Sequence, residues 1–278
     1  TRNTTTPGLS AERVLGVDAS YNLRYGDFKA RISGYYTRIY DQSKVISYYD
    51  DVAATFTNFA MSGIDKVHFG LEAAVSIPIY HTLALNGAVS WGQYTYDSNP
   101  YYLQTQDNSG DIVSDGYVYW KDFRVESTPQ TAVNVGLSWR SNNNIYLSAD
   151  FNYYNNMYLS MSPIYRTDAV ITGGMAPGDI EHLRRQEKFD SAYTLNLSVG
   201  KNWYIHRIYQ LGFSLEVKNI LNDQTIRTGG YEQMRLSRRT YVNKEGAAAQ
   251  PIQYYVPFDS KYFYLLGTTY YLNVYFRF

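Results

Sequence analysis

The chain of 278 residues has no cysteine, and so it can form neither a disulfide scaffold nor a thiolate metal site. It has no excess of either charge: 25 Lys and Arg stand against 25 Asp and Glu. That balance removes the basic surplus on which nucleic-acid binding normally rests. It also has no run of about 18 apolar residues, which excludes transmembrane helices. Strands remain possible, since a barrel strand is apolar on one face only. The first residues, Thr1-Arg2-Asn3-Thr4-Thr5-Thr6, contain neither an initiator Met nor the basic and apolar regions of a signal peptide. The expectation is that a leader has been removed or that the chain is part of something longer. What the sequence has in abundance is tyrosine, with 31 in a chain that is 17% aromatic. Packed cores prefer Leu, Ile and Val, whereas Tyr suits positions that are apolar at one end and wet at the other.

Apolar and polar residues alternate with a period of two along the whole chain, the pattern of half-buried strands. Val17, Ala19, Tyr21, Leu23 and Tyr25 alternate with Asp18, Ser20, Asn22 and Arg24. After Gly26-Asp27 the pattern resumes at Phe28, Ala30 and Ile32. Further runs cover 67–77, 83–91, 133–139, 145–153, 193–199, 211–217 and 270–278. These make about nine strands, most of them able to supply the roughly 9–11 residues that cross a bilayer on a tilt. In each run one face is polar, with Arg31, Glu72, Asp150, Glu216, Lys218 and Arg277 among its residues, as a hydrated interior would require.

Alternation does not separate a soluble barrel or sandwich from a membrane one, but the connections do. They are short at Gly26-Asp27, Tyr80-His81, Ser141–Asn144 and Tyr204–Arg207, and long at 42–66, 97–127, 155–190 and 222–260. Short and long connections alternate without a break, so every long one falls at the same end. Outer-membrane barrels are built this way, with short periplasmic turns and long outer loops, whereas soluble domains rarely carry several loops beyond about 15 residues. Aromatics near the run ends (Tyr25, Phe28, Trp91, Tyr94, Tyr96, Trp139, Tyr153, Tyr154, Tyr193, Trp203 and Tyr204) are expected to form girdles at the lipid–water boundary. A closed antiparallel barrel needs an even number of strands, so nine would leave two edges bare in lipid. An odd number of further strands is therefore expected, from the same protein or from another chain.

Four passages resemble the C-terminal part of the barrel of TonB-dependent outer-membrane receptors, of the Bacteroidetes type. Gly8-Leu9-Ser10-Ala11-Glu12-Arg13-Val14-Leu15-Gly16-Val17-Asp18 is similar to the start of a late barrel strand, and Phe28 through Asp41, with Gly34-Tyr35-Tyr36-Thr37-Arg38, to the strand after it. Glu216-Val217-Lys218-Asn219-Ile220-Leu221-Asn222-Asp223 resembles the end of the family's penultimate strand. Tyr262-Phe263-Tyr264 and Leu272 through Phe278 resemble its last. The resemblance implies an all-β, antiparallel transmembrane barrel segment, with residues 1–278 supplying strands fourteen to twenty-two of a 22-stranded barrel. It also implies a plug and a TonB box carried elsewhere, and the TonB complex as partner. The terminal residues Tyr270, Leu272, Val274, Phe276 and Phe278 resemble the assembly signal read by the outer-membrane insertion machinery, which would act by strand addition. Simple lipid exposure would account for the same residues.

No catalytic motif is present: G-x-S-x-G, H-E-x-x-H and G-x-x-x-x-G-K are all absent. His68, His81, His182 and His206 are scattered without ligand spacing. Asp107 through Gly116 is similar to a calcium loop but lacks the glycine at its sixth position, and Val118 stands where the bidentate Glu belongs. A solvated acidic loop is the reading favoured over structural calcium, so no cofactor is expected. The long connections carry the candidate ligand contacts: Tyr117, Tyr119, Trp120, Tyr254 and Tyr255, with Tyr48, Tyr49, Tyr101 and Tyr102 as further aromatics. Such rings suit sugars, peptides or aromatic chelators, and they equally suit packing of loop on loop. Arg235, Arg238 and Arg239, like Arg184 and Arg185, could grip an anionic ligand, or pair with loop carboxylates or lipopolysaccharide phosphates. Residues 177–184 are expected to form a short helix capped by Asp179. The functional expectation is an integral outer-membrane importer of a glycan, peptide or metal chelate. The alternative is a non-transporting scaffold that binds a surface lipoprotein or a secretion partner. A surface enzyme is disfavoured, because no acid–base or nucleophile set converges.

Overall fold

The computed structural model describes residues 4–126, 128–172, 185–206, 208–241 and 252–278. One sheet dominates. Its strands in spatial order are β1 (Arg13–Tyr25), β2 (Phe28–Asp50), β3 (Thr55–Tyr80), β4 (Leu83–Tyr96), β7 (Thr131–Arg140), β8 (Ile145–Asn155), β9 (Ala192–Ile205), β10 (Tyr209–Lys218) and β15 (Thr269–Arg277). Each pairs antiparallel with its chain neighbour along this path. Two short strands join its side: β5 (Tyr101–Gln106) pairs with β3, and β6 (Ile112–Tyr117) pairs with β5. Two small ribbons stand apart, β11 (Arg227–Tyr231) with β14 (Lys261–Tyr264), and β12 (Leu236–Tyr241) with β13 (Ile252–Pro257). The sheet does not close on itself. Among the described residues, β1 and β15 each pair on one side only, and the alternation along the path makes them run in the same direction.

Register carries the two-residue pattern of the single runs across the whole wall. Tyr21, Ile32, Ala73, Val89, Val133, Tyr153 and Tyr193 form one row of laterally paired residues from β1 to β9. Leu85, Leu137, Ala149, Leu197, Val217 and Tyr270 form another from β4 to β15. This face is apolar and exposed, as a surface made for lipid must be. The opposite face is polar and cross-linked between strands. Asn86 accepts from Ser76 (2.8 Å) and donates to Ser138 (3.2 Å), Asn134 donates to Asn152 (2.9 Å), and the Ser148 and Ser198 hydroxyls meet at 2.7 Å. Inward tyrosines lie flat over glycines of the neighbouring strand. Tyr146 covers Gly200 so closely that a Cβ there would overlap its ring, and a Cβ on Gly70 would come within 2.5 Å of the Tyr35 hydroxyl. The girdle expectation needs correction at three positions on this inner face. Tyr94 hydrogen-bonds Tyr35 at 2.6 Å, Tyr96 is buried at the far end of β4, and Tyr154 packs with Met157, Leu159 and Phe189.

The largest departure from the sequence reading concerns the first two long connections. Residues 42–66 are no loop: β2 and β3 continue as one hairpin to a turn at 51–54. Residues 97–127 contain β5 and β6. The prolonged hairpin passes through a pair of compensating bulges. Register runs Ile39↔Lys66, then Gln42↔Ile64, then Lys44↔Met61, so β2 gains one residue and β3 gains one just beyond it. The extra residues sit where Asp41 (φ 59°) and Gly63 (φ 74°) adopt left-handed backbone. Each insertion swaps which parity faces which side. Below the bulges the inner face shows Lys29, Arg31 and Glu72; above them the same side carries Ile46, Tyr48, Thr57, Phe59 and Met61, which are covered by other chain segments. A strictly alternating strand could not change its inner face from polar to apolar in this way.

The lipid-facing assignment has a direct test in the intact membrane protein. Val135→Arg, at the middle of β7 on the apolar face, is expected to destabilise the barrel by about 2–4 kcal/mol in bilayer unfolding measurements. Asn134→Arg, its polar-face neighbour, is expected to change stability little. Equal effects would contradict the orientation.

Candidate functional site

At the end of the wall opposite the short turns, the long connections fold into a shared cap. Its core contains Phe59 and Met61 from the hairpin, Tyr102, Val118 and Trp120 from the β4–β7 connection, and Leu236 from the β10–β15 connection. The β8–β9 connection adds Met161, Ile164, Tyr165 and Val170, through a 3-10 turn (Ile164–Arg166) and a short helix, α1 (Asp168–Thr172). Phe59 and Tyr102 stack with ring centroids 4.7 Å apart, and Tyr96 meets Trp120 at the same distance. These segments bury a core because they alternate as strands do: along Gly116-Tyr117-Val118-Tyr119-Trp120, the even-numbered Val118 and Trp120 point in and the tyrosines point out.

Polar side chains tie the connections together. Arg166, 2% exposed, donates to both carboxylate oxygens of Glu232 (2.5 and 3.0 Å) and to the Ser162 carbonyl, and its guanidinium lies over the Phe123 ring. Glu232 also accepts from the Ser162 amide at 2.8 Å. Burial of two charges costs free energy that this pair recovers only through the number and geometry of its hydrogen bonds. Nearer the surface, Arg235 makes a two-pronged bond to Asp51 at the hairpin tip (2.9 and 2.7 Å), joining residues 184 apart in sequence. The hydrogen bond from Arg235 holds the Asp51 carboxyl below its usual range. Gln186 accepts from the Arg124 amide and donates to the Arg124 and Leu159 carbonyls.

Within the cap a cavity of about 270 Å³ lies among Tyr48, Gln104, Val170, Met234, Leu236 and Tyr255. The Gln104 amide donates to the Tyr48 hydroxyl (2.8 Å) and to Asp50 (2.6 Å), whose other oxygen accepts from the Val52 and Ala53 amides and so shapes the hairpin turn. Burial raises the Tyr48 hydroxyl pKa, with the Asp50 charge adding to it, so the phenol stays neutral. The chemistry here is hydrogen bonding beside apolar wall. Among the described residues no three His, Asp or Glu side chains gather as a metal site would require.

The candidate contacts read from the sequence separate into distinct environments. Trp120, 1% exposed, is a core residue of the cap and is closed to ligand. Tyr255 packs against that core and lines the cavity. Tyr117 and Tyr119 are exposed on the other side of their strand. Arg235 is engaged with Asp51, whereas Arg238 and Arg239 are exposed on β12, opposite Tyr255 and Tyr254 in register. The Tyr254 side chain, Arg184 and the helix expected at 177–184 lie outside the described residues. The acidic stretch 107–116 forms the β5–β6 turn and strand β6; Asp107 accepts from Asn58 and Asp115 from Tyr101. Sequence reasoning missed Arg166, Glu232, Asp50 and Gln104, whose partners lie tens of residues away.

The model of the family described as TonB dependent receptor-like, beta-barrel matches residues 1–220 of this chain. The chain belongs to this family. No curated protein matches it. As a TonB-dependent receptor barrel it is an outer-membrane protein of a receptor and transport family that is not enzymatic. None of its described helices is long and apolar enough to cross a membrane.

The buried ion pair offers a test of how the receptor's cap is held. Glu232→Ala would leave the Arg166 charge buried and unpaired, and is expected to cost the cap about 3–5 kcal/mol. Limited proteolysis of the outer connections in the folded protein should accelerate accordingly. Arg166→Met combined with Glu232→Leu should restore most of the resistance. An unchanged digestion pattern for Glu232→Ala would show that the pair does not hold the cap.

Proposed function

We propose that this chain is the C-terminal barrel section of an active importer, of the Bacteroidetes type, that takes up a large or scarce nutrient (a glycan, peptide or metal chelate) with TonB-supplied energy. The observation that carries the reading is the cap: a packed, cross-braced assembly on the inner side of the wall, enclosing a cavity with hydrogen-bonding groups. Such a structure captures a ligand above the lumen, where a plug would then gate its passage. The parallel edges β1 and β15 support thirteen further strands, completing a 22-stranded barrel, with residues 1–278 as one continuous section. Partners are then the plug, the TonB complex and the surrounding lipopolysaccharide. Deleting the protein should abolish growth on one nutrient class, and a protonophore should abolish uptake of that nutrient. Normal uptake under the protonophore would remove energy coupling from the reading.

A second reading, a scaffold that binds a surface lipoprotein or secretion partner, draws on the outward face of the hairpin tip, where Val45, Tyr49 and Phe56 are exposed. In that case deletion would disrupt a surface complex and leave every uptake rate unchanged.

The last strand has a role in assembly under either reading. Tyr270, Leu272, Val274, Phe276 and Phe278 all point from the exposed face of β15, whose outer backbone edge is unpaired among the described residues. An edge of this kind lets the insertion machinery add a strand and read alternate side chains. Removing Phe278 is expected to lower the heat-modifiable, folded fraction in outer-membrane extracts several-fold; an unchanged fraction would leave these residues as lipid contacts alone.

A further inference from the structure

The face of the cap turned away from its core carries a second assembly of side chains. β5 and β6 place Tyr102, Gln104, Ser114 and Gly116 toward the core, and Tyr101, Asp115 and Tyr117 on the opposite side. Tyr101 and Tyr117 are direct cross-strand partners, their rings edge to face at 5.7 Å. Tyr119 continues the outward series, so that Tyr117 is 53% and Tyr119 43% exposed. Two tyrosines on the sheet and a third just beyond its end form a platform of apolar surface studded with hydroxyls.

Two carboxylates flank these rings. Asp115 accepts from the Tyr101 hydroxyl at 2.6 Å, a bond that pushes the phenol up to about 12. Asp168, at the start of α1, accepts from the Tyr117 amide at 2.8 Å and lies beside Tyr119. The approach of Asp168 depends on Gly116: its φ of 152° disfavours side chains, and a Cβ there would stand 2.8 Å from the carboxylate. The backbone thus keeps room for a charged group that the cap core does not use. An ionised carboxylate can accept about four hydrogen bonds, so both acids keep capacity toward solvent.

We propose that Tyr101, Tyr117, Tyr119, Asp115 and Asp168 form an accessory binding platform for a neutral saccharide chain, on the outer surface of the cap and apart from its internal cavity. A pyranose presents an apolar C–H face that covers a tyrosine ring, while its equatorial hydroxyls donate to carboxylate oxygens. The hydrogen bond of Tyr101 to Asp115 and the edge-to-face contact of Tyr101 with Tyr117 reduce the entropy lost on binding. Both fixed charges are negative, which repels phosphate- or uronate-bearing polymers and leaves uncharged hydroxyl donors as the matching partner. The platform does not depend on transport: it would concentrate a polysaccharide at the surface of an importer or of a scaffold alike.

The test uses the intact receptor in detergent and a panel of neutral hexasaccharides (maltohexaose, cellohexaose, mannohexaose and xylohexaose), with alginate as the anionic control. At least one neutral oligosaccharide is expected to bind with a Kd below about 10 mM. Tyr117→Ala and Tyr119→Ala should each weaken it about tenfold, the loss of one stacked ring. Tyr117→Phe, which keeps the ring, should bind as the parent does. Because both tyrosines are exposed, an unaltered proteolysis pattern of the cap certifies the fold of each variant. No binding across the neutral panel, binding unchanged in both alanine variants, or preference for alginate would each overturn the proposal. Binding is read on the receptor in detergent and uptake is not involved, so failure of the platform is distinguishable from failure of the import reading.

Discussion

Everything in this molecule depends on keeping backbone hydrogen bonds paired where no water can replace them. In lipid, each bare N–H or C=O costs several kcal/mol, so chain crossing as strands must pair laterally and continuously. Nine strands meeting edge to edge satisfy that demand over the width of the sheet. Once pairing is fixed, alternation decides the rest: one face meets hydrocarbon, and the other carries Ser, Asn and Thr bonded from strand to strand. Among the described residues the two edge strands, β1 and β15, leave that demand unmet on their outer sides.

The same chemistry cannot continue above the membrane, and the structure changes it with two inserted residues. The bulges at Asp41 and Gly63 exchange the parities of β2 and β3 without breaking the hairpin. Beneath them the inner face is hydrated; above them it is the floor of an apolar core that the other connections complete. Segments that would wave freely as loops thus become a cap with its own packing, its own buried ion pair and its own cavity. The cap's outward side, freed from packing, is where Tyr117 and Tyr119 reach solvent.

Much of the wall was readable before any coordinates, because strand alternation is a local property: Tyr21, Leu23, Val89 and Leu147 announce their face through their immediate neighbours. The alternating lengths of the connections also place the loops at one end. The reading fails where the decisive contact is distant. Trp120 looks like a ligand contact by residue type and proves to be core, since nothing near it in sequence reveals that it shares one buried cluster with Tyr96, Met161 and Leu236. Tyr94 and Tyr96 look like girdle residues because they follow Trp91, yet their parity sends them inward to Tyr35 and into the cap.

The amino-acid sequence by itself determined that the wall is built of antiparallel strands, which residues of each alternating run share its apolar face, and the end from which the long connections rise, because each follows from spacing within a few residues. Tertiary structure alone decided which aromatic rings are exposed, that Arg166 meets Glu232, and that Asp168 stands beside Tyr117 and Tyr119. Those outcomes rest on register and on contacts between segments 51 to 66 residues apart. A single inserted residue in each of two paired strands turns every later side chain over, and no local pattern reports it.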